Sequence, residues 1–187
     1  MGTNWNNFAN GAVPGWTDTT GSDGIEIDYS PVVGGPAYLG SQSMEVNAST
    51  FDTVSQTIIG LTFGQEYRLF WAYGDRPGSG PQQLNVYFGG NLVTTDYDTS
   101  ATDGNGSLVW FPQSFIVTAT STSAVLSFAA VNVGGLPSYG NEIDGVSLDP
   151  VPEPATLLLL APGLIGLLGY GWRRAVLSDS ASGPRHV

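Results

Sequence analysis

Three pairs of acidic residues stand two apart in the chain: Glu26 with Asp28, Asp96 with Asp98, and Glu142 with Asp144. On a β-strand, residues i and i+2 point to the same side, so each pair would hold two carboxylates together. Glycoside hydrolysis uses such a pair, an acid and a base or nucleophile about 5–10 Å apart. A hard cation such as Ca²⁺ also uses carboxylates, but needs roughly six to eight oxygen ligands, more than one pair supplies. An acidic chain generates many pairs by chance, and a lone sandwich of this length offers little cleft. The pairs are therefore read as non-catalytic. His186 is the only histidine and there is no cysteine, which excludes a histidine-based triad, a multi-histidine metal site, disulfides and thiolate chemistry within this chain.

Other chemistry-bearing residues are fewer. The stretch DYDTSATDGNG, 96–106, places Asp96, Asp98 and Ser100 like the first ligands of a helix–loop–helix calcium loop. Ala101 stands where that loop needs glycine and Ser107 where it needs a bidentate glutamate, so the match fails. The segment reads as a turn. Trp16 and Tyr139, close to loops, and Arg76, in the loop GDRPGSGP, are the candidates for stacking on or hydrogen-bonding a sugar. For each, the plainer alternative is a structural role: core packing for the aromatics, and a surface pair with Asp75 for the arginine. Trp71 and Trp110 lie inside apolar runs and are expected in the core.

These residues must be held by strands. Short apolar or alternating runs recur between turn signals: GIEIDY, SMEVN, TVSQTIIGL, EYRLFWAY, LNVYF, LVTTDYD, LVWFPQSFIVTA, AVLSFAAV and EIDGVSL. The spacing predicts roughly eight to ten strands and no helix before residue 155. EYRLFWAY is apolar on both faces after Arg68, as a central strand should be. Pro112 marks a bend or an edge strand. TDGNGS, 102–107, carries the Asp-Gly and Asn-Gly steps of a hairpin turn. The expected fold class is all-β, an antiparallel β-sandwich of jelly-roll type.

Composition agrees. The 187 residues include 26 Gly and 12 Pro, the make-up of a strand-and-turn protein. Residues 1–150 carry 14 acids against Arg68 and Arg76, a formal −12. Such a domain repels phosphate backbones, so nucleic acid is excluded as a partner.

The end of the chain is different. VPEPATLLLLAPGLIGLLGYGWRR, 151–174, runs uncharged for the 17 residues Thr156–Trp172 and stops at Arg173 and Arg174. As a helix it would span about 25 Å, short of the roughly 30 Å hydrocarbon core. It is a workable but weak single transmembrane helix, with the arginines on the cytoplasmic side. The order of Pro152-Glu153-Pro154, apolar run and basic pair resembles the PEP-CTERM sorting signal. That resemblance implies cleavage near the Pro-Glu-Pro motif by an exosortase-type processing enzyme. It also implies transient membrane residence and delivery to the cell surface or extracellular matrix of a Gram-negative bacterium.

NGAVPGWT (10–17), VSQTIIGLTFGQEYRLFWAYGDRPG (54–78), FIVTATSTSAVLSF (115–128) and NEIDGVSL (141–148) resemble exported galactose-binding-like jelly rolls, the fold of many carbohydrate-binding modules. The resemblance implies extracellular polysaccharide as an alternative partner. It also implies a structural Ca²⁺ joining a last-strand acid, here Asp144 with Glu142 beside it, to a first-strand acid. Ala9 occupies that first-strand position, and solvated surface acids remain the other reading. Exported members begin with a signal peptide; MGTNWNNFANGAVPGW has neither a basic start nor an apolar core, so the natural start is expected upstream. The expected organisation is an ectodomain over 1–150, the sorting signal over 151–174, and a disordered tail over 175–187.

Overall fold

The computed structural model describes residues 5–20, 24–31, 33–99 and 106–152. Contacts divide the chain into two units, Met1–Val151 and Pro152–Val187. Glu153, Pro154, the apolar run 156–172, Arg173, Arg174 and the tail 175–187 lie outside the described residues, as does most of the TDGNGS turn. No helix among the described residues is long and apolar enough to cross a membrane.

Eleven strands follow one another: β1 Trp5–Phe8, β2 Trp16–Asp18, β3 Ile25–Tyr29, β4 Gln42–Glu45, β5 Thr53–Ile59, β6 Glu66–Asp75, β7 Pro81–Phe88, β8 Asn91–Thr99, β9 Trp110–Thr118, β10 Ser123–Val131 and β11 Asn141–Pro150. They form a six-stranded sheet, β1-β3-β4-β11-β6-β9, and a five-stranded sheet, β2-β5-β10-β7-β8. Every described ladder is antiparallel. Only β3–β4 and β7–β8 are consecutive neighbours in a sheet; most other connections cross between sheets, as in a jelly roll. The additional strands are β1 and β2. Their three or four residues carry no apolar alternation, so only pairing with β3 and β5 makes them strands.

The strand alternation read from the sequence decides the core. Tyr67, Leu69, Trp71 and Tyr73 of β6 are buried between the sheets, with Leu84, Val86 and Phe88 of β7 and Leu126 and Phe128 of β10. Trp71 stacks on Phe115 at 5.6 Å between ring centroids and meets Phe128 edge-on at 5.8 Å. Its indole N–H donates to Asp96 Oδ2 at 2.9 Å, which satisfies the one polar atom such a buried ring carries. β6 runs between β11 and β9, the central position expected of it, and β9, which holds Pro112, is an edge strand.

Trp110 departs from expectation. It is half-buried on the outer face of the six-stranded sheet, not in the core. There it packs against Tyr38 at 6.3 Å and donates from its indole to the Pro36 carbonyl at 2.9 Å. Tyr38 also lies 6.0 Å from Phe70, another outward residue of β6. The β3–β4 connection therefore folds back over the outer face as a small extra layer, with its own Val33 2% exposed.

Candidate functional site

On the same outer face the sheet gathers its acids. Glu26 of β3 lies opposite Glu45 of β4, and Glu45 lies opposite Glu142 of β11. Three adjacent strands thus set three carboxylates in one row. Their neighbours in sequence, Ile25, Met44 and Ile143, turn inward to the core, so strand alternation sends the acids outward. Asp28, two residues beyond Glu26, joins the same face. All four are buried: Glu26 is 5% exposed, Asp28 1%, and Glu45 and Glu142 0%. One carboxylate oxygen from each of Glu26, Asp28 and Glu45 lies within 4.8 Å of the others.

Among the described residues, one cation reaches the cluster. Arg76, just past the end of β6, donates to Glu45 Oε2 at 2.7 Å, and its guanidinium lies 4.0 Å from the centre of the Tyr139 ring. The other Glu45 oxygen accepts the Gly140 N–H at 2.7 Å. Neither carboxylate of Asp28 or Glu142 makes a hydrogen bond of regular geometry; the two lie close enough to each other to share a proton, and Ser43 approaches Glu142.

Burial dominates the electrostatics. It pushes the Glu26 carboxyl up to about 7, with Asp28 adding to the rise and Arg76 opposing it. It pushes Glu45 up to about 8 against the pull of Arg76. Glu142 goes well above the ordinary carboxylate range through burial, then through the charges of Glu45 and Asp28. Asp28 rises for the same first reason. A carboxylate removed from water without a compensating partner favours its neutral form.

The sequence candidates are thus redistributed. Arg76 and Tyr139 come together as a stacked pair, and Arg76 also pairs with Glu45. Glu142 belongs to the acid row. Asp144 shares its strand face but accepts from the backbone N–H of Leu39 at 2.9 Å and from Gly145 N–H. Its carboxylate is capped by main chain, and Ala9 supplies no ligand, so the pairing implied by the resemblance has no acid at its first-strand end. Glu45 was missed because it sits alone in SMEVN, with no acid two residues away to draw notice.

Trp16 lies elsewhere. It is half-buried, 6.0 Å from Phe128, and lines a cleft of about 580 Å³ together with Phe8, Val13, Gln42, Gln56 and Asp144. A second polar surface lies on the outer face of the five-stranded sheet. Thr95 donates to Asn85 Oδ1 at 2.8 Å, Gln83 donates to the same oxygen at 3.3 Å, and Asn85 donates to Tyr87 Oη at 3.4 Å. Tyr97, opposite Gln83, is 57% exposed. On β10 the same face carries the small residues Ser127 and Ala129, opposite Tyr87 and Asn85.

The domain ends at a defined point. Val151 N–H donates to the Glu66 carbonyl at 2.9 Å and the Val151 carbonyl accepts from Gln65 Nε2 at 2.7 Å. Pro152 follows, exposed.

Residues 150–175 match the PEP-CTERM protein-sorting motif. The motif therefore begins on the last residue of β11, and it implies exosortase-dependent export to the cell envelope or surface. No curated protein matches the sequence. Among solved structures, the chain is similar to the K1 cleaved adhesin domain of Lys-gingipain from Porphyromonas gingivalis. Identity is 15%, the match covers 79% of this chain and 98% of that one, and the TM-score is 0.56. It is also similar to the N-terminal CBM22 tandem from Paenibacillus barcinonensis, at 15% identity over 80% of this chain and a TM-score of 0.51, although it spans only 44% of that tandem. The match to the C-terminal domain of the sugar-binding protein EclA has 19% identity and a TM-score of 0.40; it covers 51% of this chain and 64% of that domain, under two thirds of its length. At these identities the likeness speaks to the fold: carbohydrate-binding modules and this chain share a jelly-roll sandwich.

Proposed function

We propose that the chain is an exported, non-catalytic surface or matrix protein, and that its β-sandwich is the mature part. An exosortase-type enzyme cleaves at or near Pro152-Glu153-Pro154. Thr156–Trp172 serves as a brief membrane span before that step, with Arg173 and Arg174 on the inner side. The observation that carries this reading is the sorting motif at 150–175. Its position in the chain supports it: the sandwich is pinned through Val151, and Pro152-Glu153-Pro154 follows in sequence. Cleavage there would leave β11 whole. The acid row argues against hydrolysis, because an acid–base pair must reach substrate and water, and these carboxylates are sealed. Mass spectrometry of the protein from its native cell is the test. A mature C-terminus near 152–154 is expected; peptides from 160–174 in the mature form would overturn the proposal.

A second reading, binding of extracellular polysaccharide, is favoured by the outer face of the five-stranded sheet. An amide and hydroxyl ladder, Gln83–Asn85–Tyr87 with Thr95, stands beside exposed Tyr97 and the small residues of β10. Such a surface offers hydrogen bonds to sugar hydroxyls and an aromatic face to a sugar ring. A glycan array supplies the test. Selective binding lost in Tyr97→Ala and kept in Trp16→Ala supports the face, whereas the reverse moves the site to the Trp16 cleft.

A further inference from the structure

We propose that Glu26, Asp28, Glu45 and Glu142 form a buried site for one divalent cation of the size and hardness of Ca²⁺, on the outer face of the six-stranded sheet. The site differs from the Asp144 pairing that the resemblance implies, since Ala9 offers no ligand and Asp144 is held by the backbone of Leu39 and Gly145. It draws on three neighbouring strands of one sheet instead.

Charge is the first reason. Four carboxylates face one guanidinium, a formal −3 when all are ionised, in a place where no acid exceeds 5% exposure. Buried charge of one sign is costly unless it is paired or holds a metal. Arg76 is bonded to Glu45 and acts on Glu26 and Asp28 through its charge alone, one positive charge against four carboxylates. The second reason is the set of orphaned oxygens. Asp28 and Glu142 are 1% and 0% exposed, yet none of their four oxygens makes a hydrogen bond of regular geometry; Ser43 approaches only Glu142. Asp28 points into the group with Glu26 and Glu45, and Glu142 is close enough to Asp28 and Glu45 for their charges to act on it. The third reason is size. Ligand oxygens within 4.8 Å of one another suit a central ion at about 2.3–2.6 Å from each, the range of Ca²⁺. Mg²⁺ sits closer, at about 2.0–2.1 Å, and keeps several waters, for which a sealed site has little room. Oxygen-only ligands also disfavour zinc and copper.

The test uses the full 187-residue chain, kept soluble in mild detergent and stripped with EDTA. Equilibrium dialysis against Ca²⁺ is expected to show one ion bound per chain. Adding Ca²⁺ at a hundredfold excess over Kd is expected to raise Tm by about 5–10 °C. Glu142→Gln and Asp28→Asn, which keep size and remove charge, should abolish both effects and should raise Tm in EDTA. Asp144→Asn should leave both intact. If Glu142→Gln does not fold, the stoichiometry of the parent chain and Asp28→Asn still decide. A parent chain that binds no Ca²⁺ and melts identically with and without EDTA overturns the proposal in favour of a cluster neutralised by protons alone. Ca²⁺ binding retained in Glu142→Gln and Asp28→Asn but lost in Asp144→Asn also overturns it.

Discussion

Arg76 reaches from the end of β6 to Glu45 on β4 and closes a 2.7 Å ion pair with a carboxylate that has no solvent exposure. The pair is asymmetric: the arginine side chain is 15% exposed and the glutamate 0%. Above about pH 8, where Glu45 is ionised, removing the arginine would leave a buried negative charge among three other acids. Arg76→Met is therefore expected to cost about 3–5 kcal/mol in urea unfolding. Glu45→Gln in the same chain should recover most of that loss. Equal losses in the single and double variants would show that Arg76 acts through packing on Tyr139 instead.

Asp96 gives a pH signature separate from the acid row. Burial pushes its carboxyl up to about 6, against the Trp71 N–H bond, which pulls it down. In the unfolded chain it titrates near 3.8. Between these values the folded state holds the extra proton. The contribution of Asp96 is thus full below about pH 4 and is lost as pH rises through about 6. Asp96→Asn keeps an acceptor for the Trp71 indole and removes the charge. It should match the parent near pH 4 and exceed it by about 2–3 kcal/mol at pH 8. A difference independent of pH in paired thermal melts would refute this.

Gly140 has no room for a side chain. A Cβ there would run into the Gln82 amide, which is itself held by the carbonyls of Tyr139 and Leu136 at 2.9 and 3.2 Å. Gly140→Ala is expected to lose about 1–3 kcal/mol through overpacking, measured by denaturant unfolding. The same change at Gly60, which meets nothing within 4 Å but has φ +80°, tests backbone strain without a clash.

The end of the domain can be located by truncation. A chain ending at Pro154 keeps both Val151 hydrogen bonds and should melt within about 2 °C of the full-length protein. A chain ending at Pro150 loses both and should be less stable by about 1–3 kcal/mol. Equal stability of the two would place the domain boundary earlier than Val151.

Much of the fold was legible because strand physics is local. EYRLFWAY, apolar on both faces after Arg68, read as a central strand, which β6 is, and Pro112 marked a bend or an edge, since a proline cannot donate to a ladder. Trp110 misled because an apolar run does not state which face is inside. Its neighbours Tyr38 and Pro36 come from a connection with no regular pattern, and only that connection makes the outer face a second packing surface. β1 and β2 were invisible because their strand character is conferred by partners.

The sequence by itself determined the sandwich and its delivery. A period of two, frequent turns and an ordered run of Pro-Glu-Pro, apolar stretch and arginines are all linear patterns, and the last is read as a linear address. Tertiary structure decided what the acids do. Glu26, Glu45 and Glu142 are far apart in the chain and each looks like a surface acid on an alternating strand. Strand register brings them into one row, and the packing around that row removes them from water. Neither the register nor the cover is written in local spacing, because both depend on which strands become neighbours.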